Sequence, residues 1–414
     1  MRTIAENLQI IKDSTDAIKQ AIIDKGGTIS GGIATYADAI NNISGGGGSE
    51  ALDNDVNFYD YDGTLLYSYS KNEFLQMSSL PELPKRDGLI CQEWNWSCED
   101  AKDYVSEYGV LDIGATYITD DGKTRLYLNI PTDGRMNVPL CFTQTVSDGV
   151  TIDWGDGSQI QTFSGTGGQR PTHSYKEKGD YVITFDVTEG CVLTLGFGGD
   201  MGIFGDTSGN GNVPSVYANM VTKLEIGART SWNAPFVRSS SIINITLPKG
   251  ITLNRMFTYS NVLSFIVLPA GVNEIISSWC ESMTSLRKVV IPKSVKRINT
   301  KAFYNCSALS RIIIPEGCEI GGSAFYNCAG LGAVVIPKNA KPIGNSIFYN
   351  SGAKYIDLSR NTSVASHYFI ANNCATDLKY IVPDALYDEW IAATNWSNVA
   401  SYIIKKSDWD AQNN

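Results

Sequence analysis

The sequence predicts a mainly β, multidomain protein that ends in a solenoid, and three observations lead to that expectation. The first is internal repetition. Between Leu247 and Val382 strand-ending prolines recur every 21 to 24 residues, at Pro248, Pro269, Pro292, Pro315, Pro337 and Pro383, and Leu358-Ser359 keeps the interval without one. A second ladder runs in phase: Phe257/Ser260/Leu263, Cys280/Met283/Leu286, Phe303/Cys306/Leu309, Phe325/Cys328/Leu331 and, more weakly, Phe348/Ser351/Lys354. A unit this short cannot bury its apolar face alone, so the units must stack. The second observation is composition: 39 glycines and 21 tyrosines in 414 residues favour turn-rich β-structure over helix bundles. The third is that two of the Asp-Gly steps, Asp62-Gly63 and Asp121-Gly122, are each set between strand-like runs as a tight hairpin requires.

Taken in order, residues 1–44 form a helical segment. Ile4, Leu8, Ile11, Ile18 and Ile22 are apolar at heptad positions, and Thr15 fills the remaining one. Leu8, Thr15 and Ile22 then share one core position, and Ile4, Ile11 and Ile18 share the other. Isoleucine at the second position leans toward trimers or tetramers, so self-association as a homo-oligomer is one reading. A surface helix packed on its own domain is the other. Gly26-Gly27 stops the helix, and the glycine run inside 45–52 makes a flexible linker. Residues 53–123 read as a small α+β module, with the Asp62-Gly63 hairpin and a helix from Ser97 to Tyr108 capped by Ser97. Residues 124–200 are all β, residues 201–383 hold the solenoid, and residues 384–414 form a C-terminal cap. There, Leu386, Trp390 and Ile391 share one face of a helix that would cover the last coil.

Three stretches resemble known families. Trp154-Gly155-Asp156-Gly157, with His173 and the Gly179 to Phe185 strand, resembles the polycystic-kidney-disease (PKD) type immunoglobulin-like domain, which implies a β-sandwich spacer. The units Ala302-Phe303-Tyr304-Asn305-Cys306 to Ile314-Pro315 and Ala324-Phe325-Tyr326-Asn327-Cys328 to Ile336-Pro337 resemble BspA-like leucine-rich repeats of surface proteins. Asn57 to Lys85, Gly88 to Trp96 and Ile118 to Tyr127 resemble a module of tailed-phage tail and fibre proteins. That last likeness implies a virion surface protein, docked to other virion proteins by its N-terminus and displaying distal domains for host adhesion.

The chemistry on offer is sparse. Net charge is −10 with no basic cluster, which argues against nucleic acid or an anionic membrane as partner. No apolar run reaches membrane-spanning length. No secretory signal opens the chain, so synthesis in a cytoplasm followed by assembly into a virion is expected. Nine cysteines, three of them on the repeat ladder, suit free thiols better than a disulfide framework, and two histidines leave little for a zinc site or a triad. Asp60 and Asp62 look like the nucleophile and acid of haloacid-dehalogenase-type phosphatases, which would require Mg²⁺; the hairpin reading competes with it. Gly122-Lys123-Thr124 lacks the earlier glycine of a phosphate loop, because Tyr117 stands there. Asp153 and Asp156 could ligate calcium or simply bond their own turn. No cofactor or catalysis is expected. The candidate contact residues are Tyr304-Asn305, Tyr326-Asn327 and Tyr349-Asn350, expected to face outward in a ladder that meets a host surface glycan or protein, unless Tyr-Asn is only the repeat's turn chemistry. A phage tail or head fibre, trimeric and adhesive, leads these readings; a bacterial cell-surface adhesin with BspA-like repeats is the alternative.

Overall fold

The computed structural model describes residues 55–131, 135–196, 203–204, 217–232, 241–251, 260–374 and 377–413. The expected helix with Ile4, Leu8, Ile11, Thr15, Ile18 and Ile22 and the glycine linker lie outside the described residues. Residues 54–414 make one compact unit, mainly β with few helical residues.

The N-terminal module of this unit is a four-stranded sheet with two helices. β1 (Asp55–Tyr59) and β2 (Leu65–Ser70) form the hairpin, and α1 (Lys71–Gln76) follows directly. β3 (Leu89–Trp94) leads to α2 (Cys98–Tyr108), and β4 (Leu111–Thr119) returns parallel to β1, giving the order β2-β1-β4-β3. The local signals for α2 are plain: the Ser97 side chain accepts the Asp100 amide, and Gly109 leaves the helix at φ 82°. Phe58, Phe74, Trp94 and Val105 fill the interior.

A β-sandwich follows. Its larger sheet contains β5 (Thr124–Ile130), β8 (Val150–Asp153), β9 (Gln161–Thr162) and β12 (Gly179–Val187). The facing sheet contains β7 (Phe142–Gln144), β10 (Gly167–Gln169) and β13 (Leu193–Leu195); β6 (Asn137–Pro139) pairs with β11 (Thr172–Ser174) at one end. The larger sheet does not stop near residue 200. β14 (Val221–Glu225) joins it antiparallel to β5, and β16 (Asn244–Ile245) joins parallel to β14. β15 (Thr230–Trp232) extends the facing sheet. Thus β14 is at once a sandwich strand and the first rung of the solenoid, and one apolar core runs unbroken from Leu126 to Ile403. The sandwich thereby closes the solenoid's first edge, which an open stack would expose.

Among the described residues, the coils from Phe265 onward have three sides. The first carries parallel strands: β17 (Phe265–Val267) pairs with β19 (Lys288–Val290), and β21 (Arg311–Ile312), β23 (Ala333–Val335), β25 (Tyr355–Asp357) and β26 (Lys379–Val382) stack in turn. The second carries two-residue strands, β18 (Glu274–Ile275), β20 (Arg297–Ile298), β22 (Glu319–Ile320) and β24 (Lys341–Pro342). The third is the turn holding the Phe-Tyr-Asn-Cys ladder. At the far end α3 (Tyr387–Ala392) buries Trp390 completely, with Leu386 and Ile391 packed alongside. β27 (Ile403–Lys405) then adds one more parallel strand to β26, and α4 (Lys406–Asn413) completes the cap.

Candidate functional site

A solenoid presents its sides, so the site question is which side remains available. The first side is not. Its strands alternate toward the core through Ile266, Val289, Ile312, Val334 and Ile356, yet their outward positions, Val267, Val290 and Ile313, are buried as well. The N-terminal module covers them. A β-carbon on Gly114 of β4 would sit 2.4 Å from a Val267 methyl, and one on Gly63 would sit 2.9 Å from the Phe265 ring, so only glycine allows this approach. Asn95 donates its amide to the carbonyls of Leu268 (2.9 Å) and Val290 (3.3 Å), and the Trp96 indole donates to that of Ile291 (2.9 Å). Successive turns of α2 meet successive coils: Asp100 pairs with Lys293, the Tyr104 hydroxyl donates to the Ile314 carbonyl (3.0 Å), and Tyr108 accepts from the Lys338 amide (2.9 Å) while donating to Glu316 (2.8 Å). Burial pushes the Tyr104 and Tyr108 hydroxyls far above the usual phenol range, so they act as fixed donors. Lys288 bridges Asp112 (3.1 Å) and the Tyr59 hydroxyl (2.7 Å) inside the same seam.

These seam residues escaped the sequence reading, although two signals were present. Asp100, Tyr104 and Tyr108 stand at i, i+4 and i+8 on α2. Val289-Val290-Ile291, Ile312-Ile313-Ile314 and Val334-Val335-Ile336 are continuous apolar runs, the pattern of strands buried on both faces.

The second side is open and carries charges of both signs. Glu274, Arg297, Glu319 and Lys341 alternate in sign on adjacent strands, and Arg297 Nε bonds Glu319 at 2.8 Å.

The third side gathers the predicted contact residues. Tyr304, Tyr326 and Tyr349 stack face to face, with centroids 4.9 and 4.7 Å apart and planes within 15° and 13° of parallel. Behind them Phe303, Phe325 and Phe348 stack at 5.5 and 5.4 Å inside the core. The asparagines form a ladder of their own. Asn327 donates to Asn305 Oδ1 (2.7 Å), Asn350 to Asn327 (2.6 Å) and Asn373 to Asn350 (3.0 Å). All four sit in the left-handed region, with φ of 60°, 57°, 54° and 58° in chain order. Their backbone is tied between coils: the Asn305 amide donates to the Tyr326 carbonyl (2.8 Å), and the Asn327 amide to that of Tyr349 (2.9 Å). The tyrosines and the first two of these asparagines are half-buried, and Asn350 is exposed. Beneath the ladder Cys280, Cys306 and Cys328 are wholly buried, and all nine cysteines are free thiols. Burial lifts the Cys328 thiol to about 12, which keeps it protonated and unreactive.

The chemical look-alikes resolve into structure. Asp60 is fully buried, accepting the Tyr61 amide (2.9 Å) and the Arg86 guanidinium (2.6 Å from Nε), while Asp62 accepts the Thr64 amide (2.9 Å). Both carboxylates lie in the turn of the β1–β2 hairpin, and that of Asp60 is taken up by its ion pair with Arg86. Asp153 accepts the Gly155 amide (2.9 Å), and Asp156 accepts the Ser158 amide (3.0 Å) and faces His173 Nε2 at 2.7 Å. His173 in turn lies flat on the buried Trp154 ring, 4.7 Å away. Among the described residues no group of three or more His, Cys, Asp or Glu side chains is placed to hold a metal ion, and no helix is long and apolar enough to cross a membrane.

Residues 232–355 match the BspA type leucine rich repeat region, in six copies. Among solved structures the chain is similar to a leucine-rich repeat protein from Bacteroides ovatus, at 23% identity over 40% of this chain and 46% of that one, with a TM-score of 0.32. It is also similar to the leucine-rich repeat protein of T. pallidum, at 19% identity over 41% of this chain and 86% of that one (TM-score 0.28). A leucine-rich cell surface protein from Faecalibacterium prausnitzii is similar at 18% identity, over 47% of this chain and 79% of that one (TM-score 0.18). The chain spans less than half the length of the Bacteroides protein. No curated protein matches it.

Proposed function

We propose that this chain is a non-enzymatic adhesive module whose BspA-type repeats contact a host-surface glycan or protein through the Tyr-Asn side of the solenoid, displayed on a bacterial cell surface. The observation that carries this is the fate of the three sides. The strand side is covered by the chain's own module, the second side carries charges of alternating sign of which Arg297 and Glu319 pair, and the third keeps a half-exposed row of phenols and amides. The sandwich, PKD-like by its Trp154 to Ser158 turn, serves as the spacer that carries the solenoid. The match of residues 232–355 to BspA type repeats, a repeat of surface proteins, makes the bacterial envelope the first place to look. A pull-down on host cells tests the contact: Tyr326→Ala should weaken capture several-fold, and unchanged capture would remove the ladder from the site.

A second reading, a trimeric fibre on a phage particle anchored through residues 1–44, draws on the tail-protein likeness of roughly the first 130 residues. Antibody raised against residues 245–390 separates the two. Gold on the bacterial envelope supports the cellular adhesin, whereas gold on tail or head projections of purified particles supports the fibre.

A further inference from the structure

We infer that the Tyr-Asn side takes a neutral, linear polysaccharide laid along the stacking direction of the coils; this rests on the adhesive reading above and names the class of its ligand. Charge is the first reason. Residues 302–310, 323–333 and 346–353 contain no Asp, Glu, Lys or Arg, on a chain of net charge −10. Lys301, whose Nζ lies 5.3 Å from the Tyr304 ring centre, puts a positive charge at the first rung, and along the Tyr326 and Tyr349 segments recognition falls to hydrogen bonds. Ring geometry is the second. Because the tyrosines stack on one another, the faces of Tyr326 are occupied on both sides and Tyr349 is covered on one, while Tyr304 stacks on Tyr326 and also carries Lys301 Nζ over its ring. What solvent reaches is ring edges and hydroxyls, each hydroxyl both donor and acceptor. Partial desolvation and the two neighbouring phenols raise the Tyr326 pKa above its ordinary value, so this hydroxyl stays protonated and able to donate.

The amides supply the third reason. Along the ladder Asn327 and Asn350 each use one N–H and one lone pair, and a primary amide has two of each. The strip therefore repeats a phenol and an amide once per coil, at the 4.7–4.9 Å interval of the rings. Its corners are bonded coil to coil, so little ordering entropy opposes binding. A polymer whose hydroxyls recur along its length can engage every rung, and successive rungs act together as linked sites.

Affinity electrophoresis of the full chain tests this, in native gels cast with dextran, a β-glucan or a galactomannan in turn, and with heparin as the charged counter-probe. One neutral polymer should retard the protein, equally with and without added salt. The triple variant Tyr304→Phe, Tyr326→Phe, Tyr349→Phe keeps the stacked rings and removes only the hydroxyls; it should lose about tenfold or more in affinity while melting at the wild-type temperature. Retardation by heparin alone, fading with salt, overturns the inference. So does undiminished binding of the Phe variant. If no neutral polymer retards the chain while tyrosine-dependent capture of host cells persists, the ligand class is wrong and the adhesive reading stands. If the wild-type chain also captures no cells, the adhesive reading itself fails.

Discussion

Asparagine at the corners from Asn305 onward meets two demands, as Ser282 does at the corner before them, where φ is 61° and the hydroxyl accepts from Asn305 (3.5 Å). The corner requires a positive φ, which costs an ordinary L-residue about 1–2 kcal/mol and asparagine less. The same side chain then links to the coil on either side. Asn327→Ala should therefore lower stability by about 1–3 kcal/mol, combining backbone strain with a broken ladder. Asn327→Gly should recover the backbone part alone, so urea midpoints in the order wild type, Gly, Ala check the argument. A second residue-scale prediction concerns Asp156. Burial would raise its carboxyl, but the Ser158 and His173 hydrogen bonds outweigh burial and hold it at about 2. Its unfolded value is about 3.9. A depressed folded value stabilises the native state above the unfolded pKa, and that contribution disappears as pH falls from about 4 toward 2. Asp156→Asn should flatten this part of the stability-against-pH curve, as urea midpoints measured through that range would reveal.

Among the elements, α2 and the first-side strands were read unequally from sequence. The helix from Ser97 to Tyr108 was legible because its cap and its stop are local chemistry, and the repeat was legible because its prolines and phenylalanines recur. What α2 touches was not legible. Tyr104 reaches a carbonyl 210 residues away and Trp96 one 195 away, and no local periodicity records such a distance. The union of β14 with β5 was hidden likewise, since Val221–Glu225 precedes the first proline of the repeat and nothing local marks its antiparallel neighbour. For the candidate site, the recurring Tyr-Asn pair marked the ladder, but nothing in it foretold that the rings would cover one another's faces. The seam yields its own prediction. Gly114→Ala places a methyl inside Val267, and overpacking of this kind costs about 1–3 kcal/mol. Hydrogen exchange should then quicken in β4 and β17 while the β20 and β22 amides keep their protection; uniform quickening would mean the seam and the stack open as one.

At the scale of the whole molecule the solenoid is closed at both ends by different means, a shared sheet at one and the Trp390–Trp396 pair, 4.7 Å apart, at the other. Truncation after Pro383 removes both tryptophans and uncovers Tyr380 and Val382. The shortened chain should self-associate, with light scattering as the readout, while a chain ending at Asn395 should do so less. The fit of α2 to the stack carries a further consequence. An α-helix advances 5.4 Å per turn, and neighbouring strands stand about 4.8 Å apart, so Asp100, Tyr104 and Tyr108 keep step with consecutive coils. Arg360 extends the series by donating to the Glu107 carbonyl (3.1 Å). A free-standing stack tolerates gain or loss of a unit anywhere along it. This one is gauged against a helix of fixed length, so an inserted coil between Ile291 and Lys338 would put every later mate out of step, and the number of coils is as much a property of the module as of the repeat.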